Sequence, residues 1–356
     1  MCLSRRCGKG LFMATYDFLF DSIGLRDWCD GSSGGAAPTS MAELLAQAGT
    51  KQEATSVLDL PFPSLDELNK ACGGIAKSRD VTLGVENGFL GIKDSLSFVL
   101  DPITQPLSWI LTGALKLFEI TPWFIMIPLL ALVAYYASKS VRLVGFVLFC
   151  LVFLSFIDLY DQSMQTLSII FVCAFLCVLF GVPIGIAMSR NNRLQRMIIP
   201  VLDMLQTLPT FVYLIPLIYL FSYTEPKLYG IAIILYAIVP VIRLTDLGIR
   251  LVDKDVIEAA DSFGMTDRQK LFGVQIPLAL PNIMAGVNQT IMMSLAMVVI
   301  ASLVSAPGLG VLVLRGIRNL ELGVGLVSGL AIVLLAIILD RVTKAALDRV
   351  NAAQKH

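Results

Sequence analysis

The chain has 356 residues, 56% hydrophobic and 15% charged, with a mean hydropathy of +0.78; a soluble domain averages about 45–50% apolar and about 25% charged. This much apolar surface leaves too little polar surface to cover a soluble fold, and a net charge of zero offers no basic field for nucleic acid. The one histidine, His356, excludes a histidine-rich metal centre and a Ser-His-Asp triad.

The first 121 residues carry 10 Lys and Arg against 14 Asp and Glu, and the remainder carry 17 against 13. No secretory signal stands out in the basic start, MCLSRRCGKGLFMATYDFLFD: Asp17 and Asp21 break its short apolar stretch, and it has no clean small-residue cleavage site. GSSGGAAPTS at 31–40 reads as a flexible linker, and 41–48 and 65–71 as short helices. Residues 1–106 are therefore expected as a weakly acidic, partly disordered extension. Residues 107–121 are apolar with little charge and suit an amphipathic elbow on the membrane surface.

Spanning a bilayer takes about 20 mostly apolar residues. Seven segments qualify: 122–138, 141–157, 163–189, 199–222, 228–248, 282–306 and 323–340. Gly181-Val-Pro183-Ile-Gly185 gives the third a small-residue face suited to packing or a hinge. Cys173 and Cys177 share a helix face there but lack further ligands, so they read as packing. Residues 308–322 form a short segment after Pro307, carrying Arg315 and Arg318 beside Glu321, and 346–356 form a tail.

Lys and Arg concentrate in alternate loops, after spans one, three, five and seven. The positive-inside rule puts those loops and the C-terminus in the cytoplasm and the N-terminal extension outside. The expected architecture is an all-α, multi-pass protein of a bacterial cytoplasmic membrane.

Residues 249–281 form the one long cytoplasmic loop. Within it, Val256-Ile257-Glu258-Ala259-Ala260 reads as a helix with Asp255 as N-cap. Gly264 suits a left-handed turn ending it. Thr266-Asp267-Arg268-Gln269 opens a second helix that should stop before Pro277. A helix–glycine turn–helix projecting from two spans is a shape for docking into another protein.

Glu258-Ala259-Ala260, Gly264 and Val274-Gln275-Ile276-Pro277 match, over twenty residues, the signature of the cytoplasmic loop of ABC importer permeases: Glu-Ala-Ala, three residues, Gly, nine residues, Ile-x-Leu-Pro. Both departures exchange one aliphatic residue for another. Asp203-Met-Leu-Gln206-Thr207-Leu-Pro209-Thr-Phe211-Val-Tyr213-Leu, Ala285-Gly286-Val287-Asn288-Gln289-Thr290 and Ala336-Ile-Ile-Leu-Asp340-Arg341 resemble the permeases of glycine betaine/proline betaine uptake, over residues 122–345. Relatives in that family handle choline, carnitine or trimethylamine N-oxide.

The resemblance implies a type I importer permease. Glu258, Ala259, Ala260, Gly264, Val274, Ile276 and Pro277 would couple it to a cytoplasmic ABC ATPase. An extracytoplasmic substrate-binding protein and a second permease copy would complete the assembly. The chain itself has no G-x-x-x-x-G-K-[ST] phosphate loop, so ATP would be bound by the partner, with no cofactor, metal or catalytic residue here. Gln206, Thr207, Phe211, Tyr213, Asn288 and Gln289 are polar or aromatic residues within spans, and suit either the translocation path or helix packing. Asp203 and the Arg243/Asp246 pair at i, i+3 read as structural pairs or loop anchors. Two other classes stand beside the permease: an ion-coupled secondary transporter, which would want buried acidic relays, and a membrane scaffold docking a cytoplasmic protein.

Overall fold

A computed structural model describes residues 64–71 and 75–354. The expected linker at 31–40, the helix at 41–48 and Cys2, Cys7, Cys29 and Cys72 lie outside the described residues. Two compact units divide the chain, Met1–Asp94 and Ser95–His356. The described part of the first holds α1 (Leu65–Ala71), at the expected position, and the start of α2 (Ser78–Ile120).

The 43 residues of α2 run through Pro102 and Pro106. The unit boundary at 94/95 and the one expected at 106/107 both fall inside this helix, so 107–121 is the end of a longer element rather than a separate elbow. Thr121-Pro122 ends it, and α3 (Trp123–Ser138) leaves at a bend of 115°.

Next come α4 (Val141–Phe156), α5 (Tyr160–Arg190) and α6 (Asn192–Thr207). A 3-10 turn (Thr210–Tyr213), α7 (Leu214–Leu220) and α8 (Pro226–Arg250) follow. The segment expected in the cytoplasm contributes α9 (Lys254–Ser262) and α10 (Asp267–Lys270), followed by α11 (Ile276–Ala301), α12 (Leu309–Arg318) and α13 (Leu322–Gln354).

Each of the seven expected spans falls on helix, with differences of extent. Among the described residues, four stretches are long and apolar enough to cross a membrane singly: Tyr160–Arg190, Pro226–Arg250, Asp267–Val304 and Leu322–Arg349. Two bent pairs bring the number to six. α3 and α4 have 16 residues each, about 24 Å of helix against a core of about 30 Å. Expected as one span over 199–222, the fourth segment is broken by 105° between α6 and the 3-10 turn. Pro209 is the cause: its ring drives Leu208 out of the helical region, to φ −66°, ψ 135°.

The core of the second unit is apolar and centres on α5, α8 and α11, which pack along one another. Close approach of α5 to α8 requires Gly185: a β-carbon there would lie 2.7 Å from the Ile242 carbonyl oxygen. The small-residue face read at Gly181–Gly185 is thus a packing surface. Cys150, Cys173 and Cys177 are free and buried in the core, as packing residues. Arg315 pairs with Glu321 at 3.1 Å. Lys227, only 3% exposed at the start of α8, pairs with Asp101 of α2 at 2.8 Å and Glu225 at 2.7 Å, over the Phe221 ring.

Candidate functional site

The loop between α8 and α11 folds as a compact knob. Asp253, not Asp255, caps α9: its side chain accepts from the Asp255 backbone N–H at 3.0 Å. Asp255 lies in the first turn, where its charge complements the helix dipole. Ala260 faces inward and is buried, while Glu258 and Ala259 face outward.

Gly264 takes φ +74°, and two hydrogen bonds close the end of α9 around it. The Gly264 N–H donates to the Asp261 carbonyl at 2.9 Å, and the Met265 N–H to the Ala260 carbonyl at 3.2 Å. This Schellman arrangement satisfies carbonyls that the helix end would otherwise leave bare.

Thr266 caps α10 through a capping box with Gln269. The second helix does not stop before Pro277 as expected. A π-helical turn over Leu271–Gln275 carries it into α11, where Pro277 sits in the first turn and its missing N–H leaves no gap. Of the signature residues, Val274 and Ile276 are half-buried and Pro277 is exposed. The knob displays Phe263, 86% exposed, and Phe272, also exposed, beside Glu258 and Ala259. Sequence reasoning missed both phenylalanines; the available signal was an aromatic residue directly before the glycine of a polar loop.

Ion pairs tie the knob to the spans. Lys270 reaches Asp261 at 2.6 Å and Asp267 at 3.6 Å, and Arg190 at the end of α5 reaches Asp267 at 3.9 Å. The hydrogen bond that Lys270 donates to Asp261, then the pull of both carboxylates, raises the Lys270 ammonium above the ordinary lysine range against the opposing effect of desolvation. A 300 Å³ cleft separates knob from spans, lined by Arg190, Arg250, Lys254, Ile257 and Asp267 among others.

Beneath the knob sits Asp246, 6% exposed. It accepts from Arg250 Nε at 2.9 Å and from Gln195 Nε2 of α6 at 2.7 Å. Arg250 also donates to Asn192 Oδ1 and to the Met188 carbonyl, each at 2.8 Å. One carboxylate therefore joins the knob-side ends of α5, α6 and α8. The expected Arg243/Asp246 pair does not form: Arg243 reaches Asp203 of α6 instead, and Asp246 takes the residue one turn on.

The candidate path residues are not gathered at one place. Gln206 and Thr207 are exposed at the end of α6, and Phe211 is exposed on the 3-10 turn, which packs against α11. Tyr213 is buried, its hydroxyl donating to the Leu208 carbonyl at 3.3 Å. Asn288 hydrogen-bonds to Asp340 and Thr343 of α13, a helix-packing role. Gln289 is exposed, and the buried Thr290 hydroxyl beside it has no protein partner among the described residues.

Comparison with known proteins decides the family. Residues 178–353 match the family described as "Binding-protein-dependent transport system inner membrane component". The glycine betaine/proline betaine transport system permease protein ProW of Escherichia coli (strain K12) is 44% identical over 69% of this chain and 69% of its own length. The chain belongs to this family of permeases. The glycine betaine transport system permease protein OpuAB of Bacillus subtilis (strain 168) is 39% identical over 74% of this chain and 89% of its own. The glycine betaine/carnitine transport permease protein GbuB of Listeria monocytogenes is 38% identical over 72% and 89%. The chain is accordingly an inner-membrane component of an ABC transporter, and its relatives are permease subunits rather than catalytic enzymes.

Proposed function

We propose that this permease carries glycine betaine, proline betaine or a related methylated amine such as carnitine, choline or trimethylamine N-oxide, within an ATP-driven importer. The betaines, carnitine and trimethylamine N-oxide are taken from relatives that are 38–44% identical and named for them, and choline from the family resemblance. In this reading α9 is the coupling helix. Glu258, Ala259 and Phe263 enter a groove on a cytoplasmic ATPase, Ala260 and Gly264 hold their shape, and Val274, Ile276 and Pro277 carry the displacement into α11. The observation that carries the assignment is the knob itself, closed by the Gly264 turn and stiffened by Lys270 and Asp267, with an 86% exposed aromatic at its tip.

ATP would close the ATPase dimer, draw two knobs together and rock the spans as rigid bodies. Two permease copies, an extracytoplasmic binding protein and seven crossings, with the N-terminus outside and C-terminus inside, complete the proposal. Gln206, Phe211 and Gln289 remain candidates for the path, being polar or aromatic and exposed, and so does Thr207, whose hydroxyl donates only to the Met204 carbonyl within its own helix.

Reconstitution with the ATPase and binding protein in vesicles tests this, with ATP-dependent uptake of radiolabelled glycine betaine as readout. The expected result is uptake in the wild type and loss in Phe263→Asp, whose side chain is too exposed to be needed for folding. An assembled, ATP-hydrolysing complex that moves none of these amines would overturn the substrate; failure to bind any ATPase would overturn the permease role and favour the scaffold.

A further inference from the structure

Spans that rock as rigid bodies change their angle to a knob that stays seated on an ATPase, so that angle has to be absorbed where knob and spans join. Two connections join them. From α8 the chain enters the knob through a short non-helical link at 251–253, which can yield. From the knob it returns through α10 into α11, where Asp267–Val304 runs as one helical stretch of 38 residues. A uniform helix of that length would either pull the knob from its groove or hold the spans still.

One turn of the stretch is different. Ile276 donates its N–H to the Leu271 carbonyl, five residues back rather than four. Such a π-turn holds one residue more than the α-helix on either side; π-turns are rare and frequently stand at functional sites. Packing does not impose this one. Leu271 alone of its five residues is buried, Phe272 and Gly273 are exposed, and a β-carbon on Gly273 would meet no atom within 4 Å. Pro277 favours it: in an unbroken α-helix the proline ring would press on the carbonyl four residues back, that of Gly273, and a wider turn relieves the contact.

The bodies on either side of the turn are firm, while the tie between them is loose. Lys270 with Asp261 and the Thr266–Gln269 capping box hold the knob side. On the other side Ala279 and Ile283 are buried, and Gly248 of α8 lies so close that a β-carbon there would be 2.7 Å from the Asn282 side chain. Between the two lies the 300 Å³ cleft. Among the described residues one ion pair crosses it, Arg190 with Asp267 at 3.9 Å, and both side chains are exposed, so the pair contributes little.

Resting on the coupling role of α9 proposed above, we infer that the π-turn is the joint of the knob. Its extra residue is slack that straightens into α-helix when ATP closes the ATPase, so the knob turns against the spans while staying docked, and Pro277 returns the turn to its wide form. One residue of slack allows at most about 1.5 Å along the α11 axis and about 100° around it. Phe272 lies within the turn and stands exposed beside the docking residues, so an ATPase that grips it acts on the joint directly.

The test uses the full chain assembled with its ATPase and binding protein in vesicles. Deleting Gly273 removes the extra residue and leaves the flanking helices in their present phase. ATPase binding should stay within about twofold of wild type and ATP should still be hydrolysed, while glycine betaine uptake falls at least about tenfold. Ser189→Cys/Lys254→Cys places a thiol on each wall of the cleft. Bridging them with a short bis-methanethiosulfonate should block uptake without releasing the ATPase, and reductant should restore it; wild type treated alike controls for the native cysteines. Pro277→Ala should slow amide exchange over 271–278 about tenfold in the resting complex, to the level that wild type reaches when vanadate traps the closed ATPase. Wild-type uptake by the Gly273 deletion, undiminished uptake by the bridged variant, or identical exchange in resting and trapped wild-type complexes would each overturn the joint. Should the deletion fail to fold, the bridged variant and the exchange measurement decide. Any of these results in a transporter that still moves glycine betaine overturns the joint alone; a chain that binds no ATPase overturns the joint together with the coupling role of α9.

Discussion

Replacing Asp246 with alanine should loosen the coupling knob without disturbing its docking surface. Asp246 is buried and receives two hydrogen bonds, from Arg250 at 2.9 Å and Gln195 at 2.7 Å. A hydrogen bond to a charged group contributes about 1.5–3 kcal/mol. Arg250 has a side chain 30% exposed and keeps its bonds to Asn192 and the Met188 carbonyl, so its share falls at the low end. Gln195 loses its one side-chain partner of this kind. The expected loss is about 2–3 kcal/mol for Asp246→Ala, against about 1 kcal/mol for Asp246→Asn, which keeps one acceptor. The knob would then still bind the ATPase through Phe263 but transmit its movement less directly to α5, α6 and α8. In vesicles holding the full transporter, ATP hydrolysis and uptake measured together should show more ATP consumed per substrate for alanine than for asparagine. An unchanged ratio in Asp246→Ala, with an unchanged melting temperature, would refute the argument that this carboxylate joins the three helix ends.

Three further comparisons of variants probe other parts of the chain. Lys227→Met removes a buried cation and leaves Asp101 and Glu225, each about half exposed, to water; it should cost about 1 kcal/mol, whereas Asp101→Asn/Glu225→Gln strands the ammonium and should cost about 3 kcal/mol, read by thermal unfolding in detergent. Gly185→Ala should destabilise more than Gly181→Ala, because the new methyl at 185 meets the Ile242 carbonyl oxygen while at 181 the nearest atoms are side-chain carbons able to shift; overpacking of this kind costs about 1–3 kcal/mol, and the same melts would compare the two. At Gly264, φ is +74° and a β-carbon meets no atom within 4 Å, so only the backbone objects: Gly264→Val should weaken ATPase binding about tenfold and Gly264→Asn little, by titration of the purified subunits.

The knob was legible because its shape is set by short-range rules. Gly264, Thr266 and Gln269 lie within six residues, and the bonds that close the turn join neighbours in sequence. The N-cap slipped from Asp255 to Asp253 because three aspartates stand between residues 253 and 261, and local chemistry alone does not rank the first two. Pro277 was read as a stop because the π-turn that accommodates it has no sequence mark of its own. Pairings across the fold were less accessible. Arg243 and Asp246 share a helix face, yet both find partners on α6, 40 and 51 residues earlier in the chain.

The same distinction bears on the polar residues inside the spans. Sequence marks Asn288 and Tyr213 as costly in a membrane, and cost alone suggests function. Their bonds to Asp340, Thr343 and the Leu208 carbonyl repay that cost locally, so these two need no substrate to explain them. A polar residue within a span is therefore weak evidence for function once its partners are known.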